Sequence, residues 1–100
     1  MSVVCGGFGG DQQATAEAQE VLNAVKAEVE SHLGRSVGSL NVIIYKTQVV
    51  AGVNYLVKAK ADEQIIHVKI AKPLPHTHKP PFILSIVHEG LTHDSSLDII

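Results

Sequence analysis

Six histidines and one cysteine are the side chains most able to do chemistry in this chain of 100 residues. His76 and His78 stand one residue apart, and His88-Glu89 precedes His93. A zinc-hydrolase helix needs two histidines at i and i+4, so that both imidazoles project from one face. Here the gap is five, about 140° of helical rotation, and Gly90 interrupts it. His76-Thr77-His78 offers two donors without a third, so solvent-exposed histidines and no metal site are expected. A catalytic thiolate needs a neighbouring base and a rigid frame that lowers its pKa; Cys5 sits among glycines instead. Ser85, His88 and Asp94 supply the residue types of a hydrolase triad, but no nucleophile elbow or oxyanion loop surrounds them. The glycines at 6, 7, 9 and 10 do not follow a strand, which removes a phosphate cradle. No catalytic residue and no cofactor are expected.

The elements that would position any site are legible from periodicity. Ala14, Ala18, Val21, Leu22, Val25, Val29 and Leu33 recur three or four apart, the stripe of one amphipathic helix about 28 Å long. Thr15 suits its N-cap, Glu17 and Glu20 suit the positive end of its dipole, and Gly34 suits a left-handed stop beside His32 and Arg35. Residues 36–39 read as a turn. Beyond it the period drops to two. Leu40, Val42 and Ile44 are expected on one face, with Ile43 and Tyr45 on the other. Val53, Tyr55, Val57, Ala59 and Ala61 alternate with Asn54, Leu56, Lys58 and Lys60. Ile66, Val68 and Ile70 alternate with His67 and Lys69, and Phe82, Leu84 and Ile86 close the series. The connections at 48–52, 62–64 and 73–81 are short enough for antiparallel hairpins. A sheet this small must cover the helix with one face, so the fold class is α+β.

Length allows one domain over residues 1–100, with residues 1–10 read as a flexible arm. An apolar fraction of 45% against a charged fraction of 18% describes a globule. Eight basic residues against ten acidic ones give a net charge of −2, too balanced for counterion-releasing nucleic-acid binding. No apolar run reaches the ~20 residues of a bilayer span, so no membrane partner is expected. A single cysteine cannot close a disulfide within the chain, and Met1-Ser2-Val3-Val4 has neither the charged nor the apolar region of a secretory signal. A cytoplasmic location is the corresponding expectation.

The loops carry the information. Gln48-Val49-Val50-Ala51-Gly52 puts two valines where hairpin tips normally hold polar residues or glycine. If it is a tip, Gly52 supplies a positive φ and the valines face water. The equally weighted alternative is one buried strand running from Thr47 to Val57. Leu74-Pro75-His76 repeats the oddity, an apolar residue and a stiffened backbone inside a connection, and a rigid linker explains it as well.

At these residues the sequence resembles a stefin, a type 1 member of the cystatin family of cysteine-peptidase inhibitors. Gln48-Val49-Val50-Ala51-Gly52 matches the family's Q-x-V-x-G hairpin, with Asn54-Tyr55 after it. Ala14-Thr15-Ala16-Glu17 matches the helix start, and Leu74-Pro75-His76 with Lys79-Pro80 matches the second hairpin. His93-Asp94 is similar to the tail, and Cys5-Gly6 to the arm. The resemblance implies a five-stranded antiparallel sheet wrapped around one long helix. It further implies that Val4, Cys5 and Gly6 join Gln48, Val49, Val50, Ala51, Gly52, Leu74, Pro75 and His76 in a wedge. That wedge would enter the active-site cleft of papain-like peptidases such as cathepsins. Inhibition would be reversible occlusion by a monomer, with His76 introducing pH dependence between about 5 and 8. A Cys5-linked dimer would be a poor inhibitor. The competing reading is a self-associating module, because residues 49–57 are β-prone and uncharged and would span a domain-swapped dimer if the tip opened.

Overall fold

The computed structural model describes residues 8–97. Thr15 starts the helix as its type predicts: the side-chain oxygen accepts a hydrogen bond from the Ala18 N–H at 3.2 Å. Helix α1 spans Ala16–Ala24 and α2 spans Lys26–Leu33. They differ from the single unbroken helix expected. Val25, at φ −108°, donates its N–H to Leu22 O at 3.1 Å, a one-turn tightening, and the ladder resumes with Val29 N–H to Val25 O at 2.9 Å. The ladder gives way inside a stripe of three β-branched residues, Val21, Val25 and Val29, the type that crowds a preceding turn. Gly34, at φ 73°, ends α2 in the left-handed conformation with its N–H on Glu30 O.

Five strands follow one another in an antiparallel meander: β1 (Gln12–Gln13), β2 (Leu40–Val50), β3 (Gly52–Ala61), β4 (Gln64–Lys72) and β5 (Phe82–Val87). The predicted alternation holds on β3 and β4. Tyr55, Val57, Ala59 and Ala61, with Ile66, Val68 and Ile70, form one core with Ala18, Val21, Leu22, Val25 and Val29. It fails on β2 and β5, for one reason. The register slips between Val42 and Ile44, so Ile43 is an extra residue and Tyr45 joins Leu40 and Val42 in the core in place of Ile44. Between Lys69 and Ile70 a second slip makes Leu84 the extra residue on β5. Ile83 and Ile86 therefore pack on the core while Phe82 and Leu84 are exposed. Each bulge shifts every later side chain to the other face.

The face of the sheet away from the helix is covered as well. Leu56, Ile65 and Leu97 are buried outside the helix-side core. Lys58, buried on this face, donates its Nζ to His93 O at 2.8 Å and to Ser95 O, fastening the segment after β5 over the strands. Both sheet edges are capped from the helices. Gln19 bridges the edge of β2, donating to Leu40 O at 2.8 Å and accepting from Val42 N–H at 2.9 Å. Glu28 Oε2 accepts from Ile83 N–H on β5 at 3.1 Å.

Candidate functional site

The segment from Gln48 to Gly52 is a hairpin tip, so the buried-strand alternative is excluded. Val49 pairs with Val53 and Val50 with Gly52, leaving Ala51 alone at the turn. Gly52 takes φ 120°, a conformation that disfavours any side chain. Below the tip, Asn54 Nδ2 donates to Gln48 Oε1 at 2.9 Å, a cross-strand bond that holds the two strands in register. Val49 is 65% exposed and Val50 43%. No charged residue lies between Gln48 and Val57.

Leu74, Pro75 and His76 stand beside this tip. Pro75–Thr77 forms a single 3-10 turn, closed by Thr77 N–H to Leu74 O at 3.0 Å and by the Thr77 hydroxyl to the same carbonyl at 2.7 Å. His78 ends it at φ 55°. Leu74 is 40% exposed, and Pro75 and His76 are exposed too. The two loops touch. A Cβ on Gly52 would lie 2.5 Å from Lys72 O, 3.2 Å from Pro73 Cα and 3.3 Å from Leu74 N. The structure thus brings together eight of the residues singled out from sequence; Val4, Cys5 and Gly6 lie outside the described residues.

The tip is braced from behind. Tyr55, two residues past Val53, donates its hydroxyl to Glu17 Oε1 at 2.6 Å, tying β3 to α1. Burial first, and then the bond to Glu17, raise the Tyr55 pKa far above the ordinary phenol value, so the hydroxyl stays a donor at any physiological pH. Tyr45 lies tilted against Tyr55 with ring centroids 5.9 Å apart, and its hydroxyl accepts from Thr15 Oγ1 and donates to Gln12 Oε1, each at 3.3 Å.

Periodicity gave no warning of the contacts at the base of the arm. Gly9 N–H donates to Thr47 O at 2.9 Å, Asp11 lies 3.5 Å from Lys46 Nζ, and Lys69 Nζ stands 5.8 Å from the Phe8 ring centroid. An aromatic residue among glycines was the only cue in the sequence. Among the described residues no group of three or more His, Cys, Asp or Glu side chains could hold a metal ion, and no helix is long and apolar enough to cross a membrane. The paired loops present Val49, Val50 and Leu74 together as an exposed apolar surface.

A meander wrapped on a helix, with a Q-x-V-x-G tip beside a proline-bearing loop, defines a class, and comparison with known proteins agrees. The Cystatin domain profile matches residues 7–82. The chain belongs to the cystatin family of cysteine-peptidase inhibitors, in its stefin branch. It is 36% identical over 90 residues to Stefin-C of Bos taurus, covering 89% of each chain. To Cystatin-B of Bos taurus it is 33% identical over 93 residues, 92% of this chain and 95% of the relative. To Cystatin-A of Homo sapiens it is 40% identical over 74 residues, 73% of this chain and 76% of the relative.

Proposed function

We propose that this protein inhibits papain-like, cathepsin-type cysteine peptidases by reversible, tight-binding occlusion of the active-site cleft. The carrying observation is the exposure of Val49, Val50 and Leu74 on two loops in mutual contact. Apolar side chains left in water gain up to roughly 1.5–3 kcal/mol each when a partner covers them fully. Ala51 and Gly52 add little bulk, which suits close backbone approach inside a narrow groove, and Pro75 lowers the ordering cost on association. Val4, Cys5 and Gly6 complete the wedge in this reading, with Gly6 letting the arm bend across the cleft. No bond of the inhibitor need lie in line with the peptidase thiolate, so none is cut.

The active form is a cytoplasmic monomer. Joining two copies through Cys5, or opening the turn at Ala51 so that β2 and β3 become one strand of a swapped dimer, would each dismantle the wedge. The test is titration of papain and of a cathepsin with the monomer in reducing buffer at two pH values. Stoichiometric inhibition with the inhibitor recovered uncleaved is expected. Undiminished peptidase activity at micromolar inhibitor would overturn the reading.

A further inference from the structure

We propose that Phe8 and Lys69 form a latch that delivers the N-terminal arm to the wedge, making both of them positioning residues for inhibition. The proposal rests on the inhibitor reading above. Followed backwards from β1, the chain climbs β2 towards the tip. Gln13 pairs with Ile44, Gln12 with Tyr45, Asp11 with the Lys46 ammonium, and Gly9 with the Thr47 carbonyl. Thr47 directly precedes Gln48, where the wedge begins. Lys69 alternates along β4 with the core residues Val68 and Ile70, so it projects from the face opposite the helices. Its ammonium lies 5.8 Å from the half-buried Phe8 ring, within cation–π range, which places the ring over that same outer face.

The latch therefore holds Phe8 on the outer face of the sheet, against the Lys69 side chain of β4, while Gly9 is held on β2. A tethered segment binds as if at high local concentration, provided that its root is held where the segment can reach. The root of the arm is thereby held next to Thr47, one residue before the wedge begins. Neither Phe8 nor Lys69 belongs to the wedge, and the effect of each passes through the arm.

Dissociation of the papain complex is the readout, for the full chain and for a chain lacking residues 1–6. In the full chain, Lys69→Gln and Phe8→Leu should each speed dissociation about two- to fivefold, the range of an exposed cation–π contact. The double variant should be no faster than the faster single one, and thermal midpoints should stay within about 2 °C of the parent. In the truncated chain neither substitution should matter. An effect of Lys69→Gln that survives truncation would show that Lys69 touches the peptidase directly, and would overturn the latch, as would unchanged dissociation in the full chain. In the free protein the latch also predicts an upfield ring-current shift of the Lys69 side-chain protons that Phe8→Leu abolishes; unshifted protons overturn it whatever the peptidase does. Failure of the parent protein to inhibit at all would instead strike the inhibitor reading.

Discussion

A methyl group on Gly52 would stand 2.5 Å from the carbonyl oxygen of Lys72, well inside van der Waals contact. The end of the first hairpin and the start of the second loop are thus in backbone-to-backbone contact, and only a residue without Cβ permits it. The close approach restrains each loop against the other. Mutually restrained loops presenting Val49, Val50 and Leu74 lose less conformational entropy on docking than two independent loops.

Gly52→Ala should therefore cost on two counts. The φ of 120° strains any side chain, by about 1–3 kcal/mol, and the methyl group pushes on backbone that cannot rotate away. Inhibition of papain should weaken at least tenfold, with a lowered thermal midpoint. Wild-type inhibition by a correctly folded Gly52→Ala variant would show that the contact between the loops is dispensable.

Val50→Asp separates binding from folding. Val50 is 43% exposed at the tip, so a carboxylate there stays hydrated in the free protein and, in the proposed complex, would meet a dry groove. We expect a loss of inhibition of at least tenfold with a thermal midpoint within about 2 °C of the parent. A drop of 8 °C or more, roughly 1–2 kcal/mol in a domain of this size, would mean that the valine supports the fold.

How much could be read beforehand divides along physical lines. Thr15 and Gly34 announce the helix ends because capping is local chemistry, and β3 and β4 keep their period of two because neither holds an extra residue and the ladder between them runs without a register slip. The bulges at Ile43 and Leu84 had no local signature, since either strand could have continued regularly; which residue is extra is decided by packing on the helix. The tip illustrates both regimes. Residue types alone leave Val49 and Val50 between a turn and a buried strand, and the Q-x-V-x-G resemblance favours the turn. That Gly52 meets Lys72, twenty residues away in the chain, follows from the β3–β4 register, which pairs Val53 with Lys72, but a contact too close for a Cβ is not legible in the pattern. The same holds for Phe8 on Lys69 and for the buried Lys58, which pairing along the sequence would have left in solvent.

Gln19 is expected to guard the β2 edge. Its amide satisfies Leu40 O and Val42 N–H at a stretch that β1, two residues long, does not cover. Gln19→Ala should lose about 1–2 kcal/mol of stability and leave an open edge for another copy to pair with. Gel filtration over a range of concentrations should show more dimer or larger species than the parent. A variant as monomeric and as heat-stable as the parent would mean that solvent satisfies that edge equally well.

Asp62 should make stability depend on acid pH. It sits at the β3–β4 turn with φ 56°, and its Oδ1 accepts from Ser39 N–H at 3.0 Å and Gly38 N–H at 3.1 Å while Arg35 Nη1 lies 2.9 Å from Oδ2. Partial desolvation works against ionisation, but these donors together outweigh it and hold the carboxyl below its ordinary value. A carboxyl whose pKa is lowered by folding contributes fully above the unfolded value of about 3.9, and the contribution disappears as pH falls through the lower folded value. Asp62→Asn keeps a side chain that tolerates the left-handed conformation and removes the charge. At pH 7 the variant should melt below the parent, and the gap should close as pH falls below the unfolded value of about 3.9. At pH 7 the gap should also narrow in 1 M salt, because the pair with Arg35 is solvent-exposed. Parallel melting curves for the two proteins from pH 7 to pH 2 would show that the turn is held by its backbone alone.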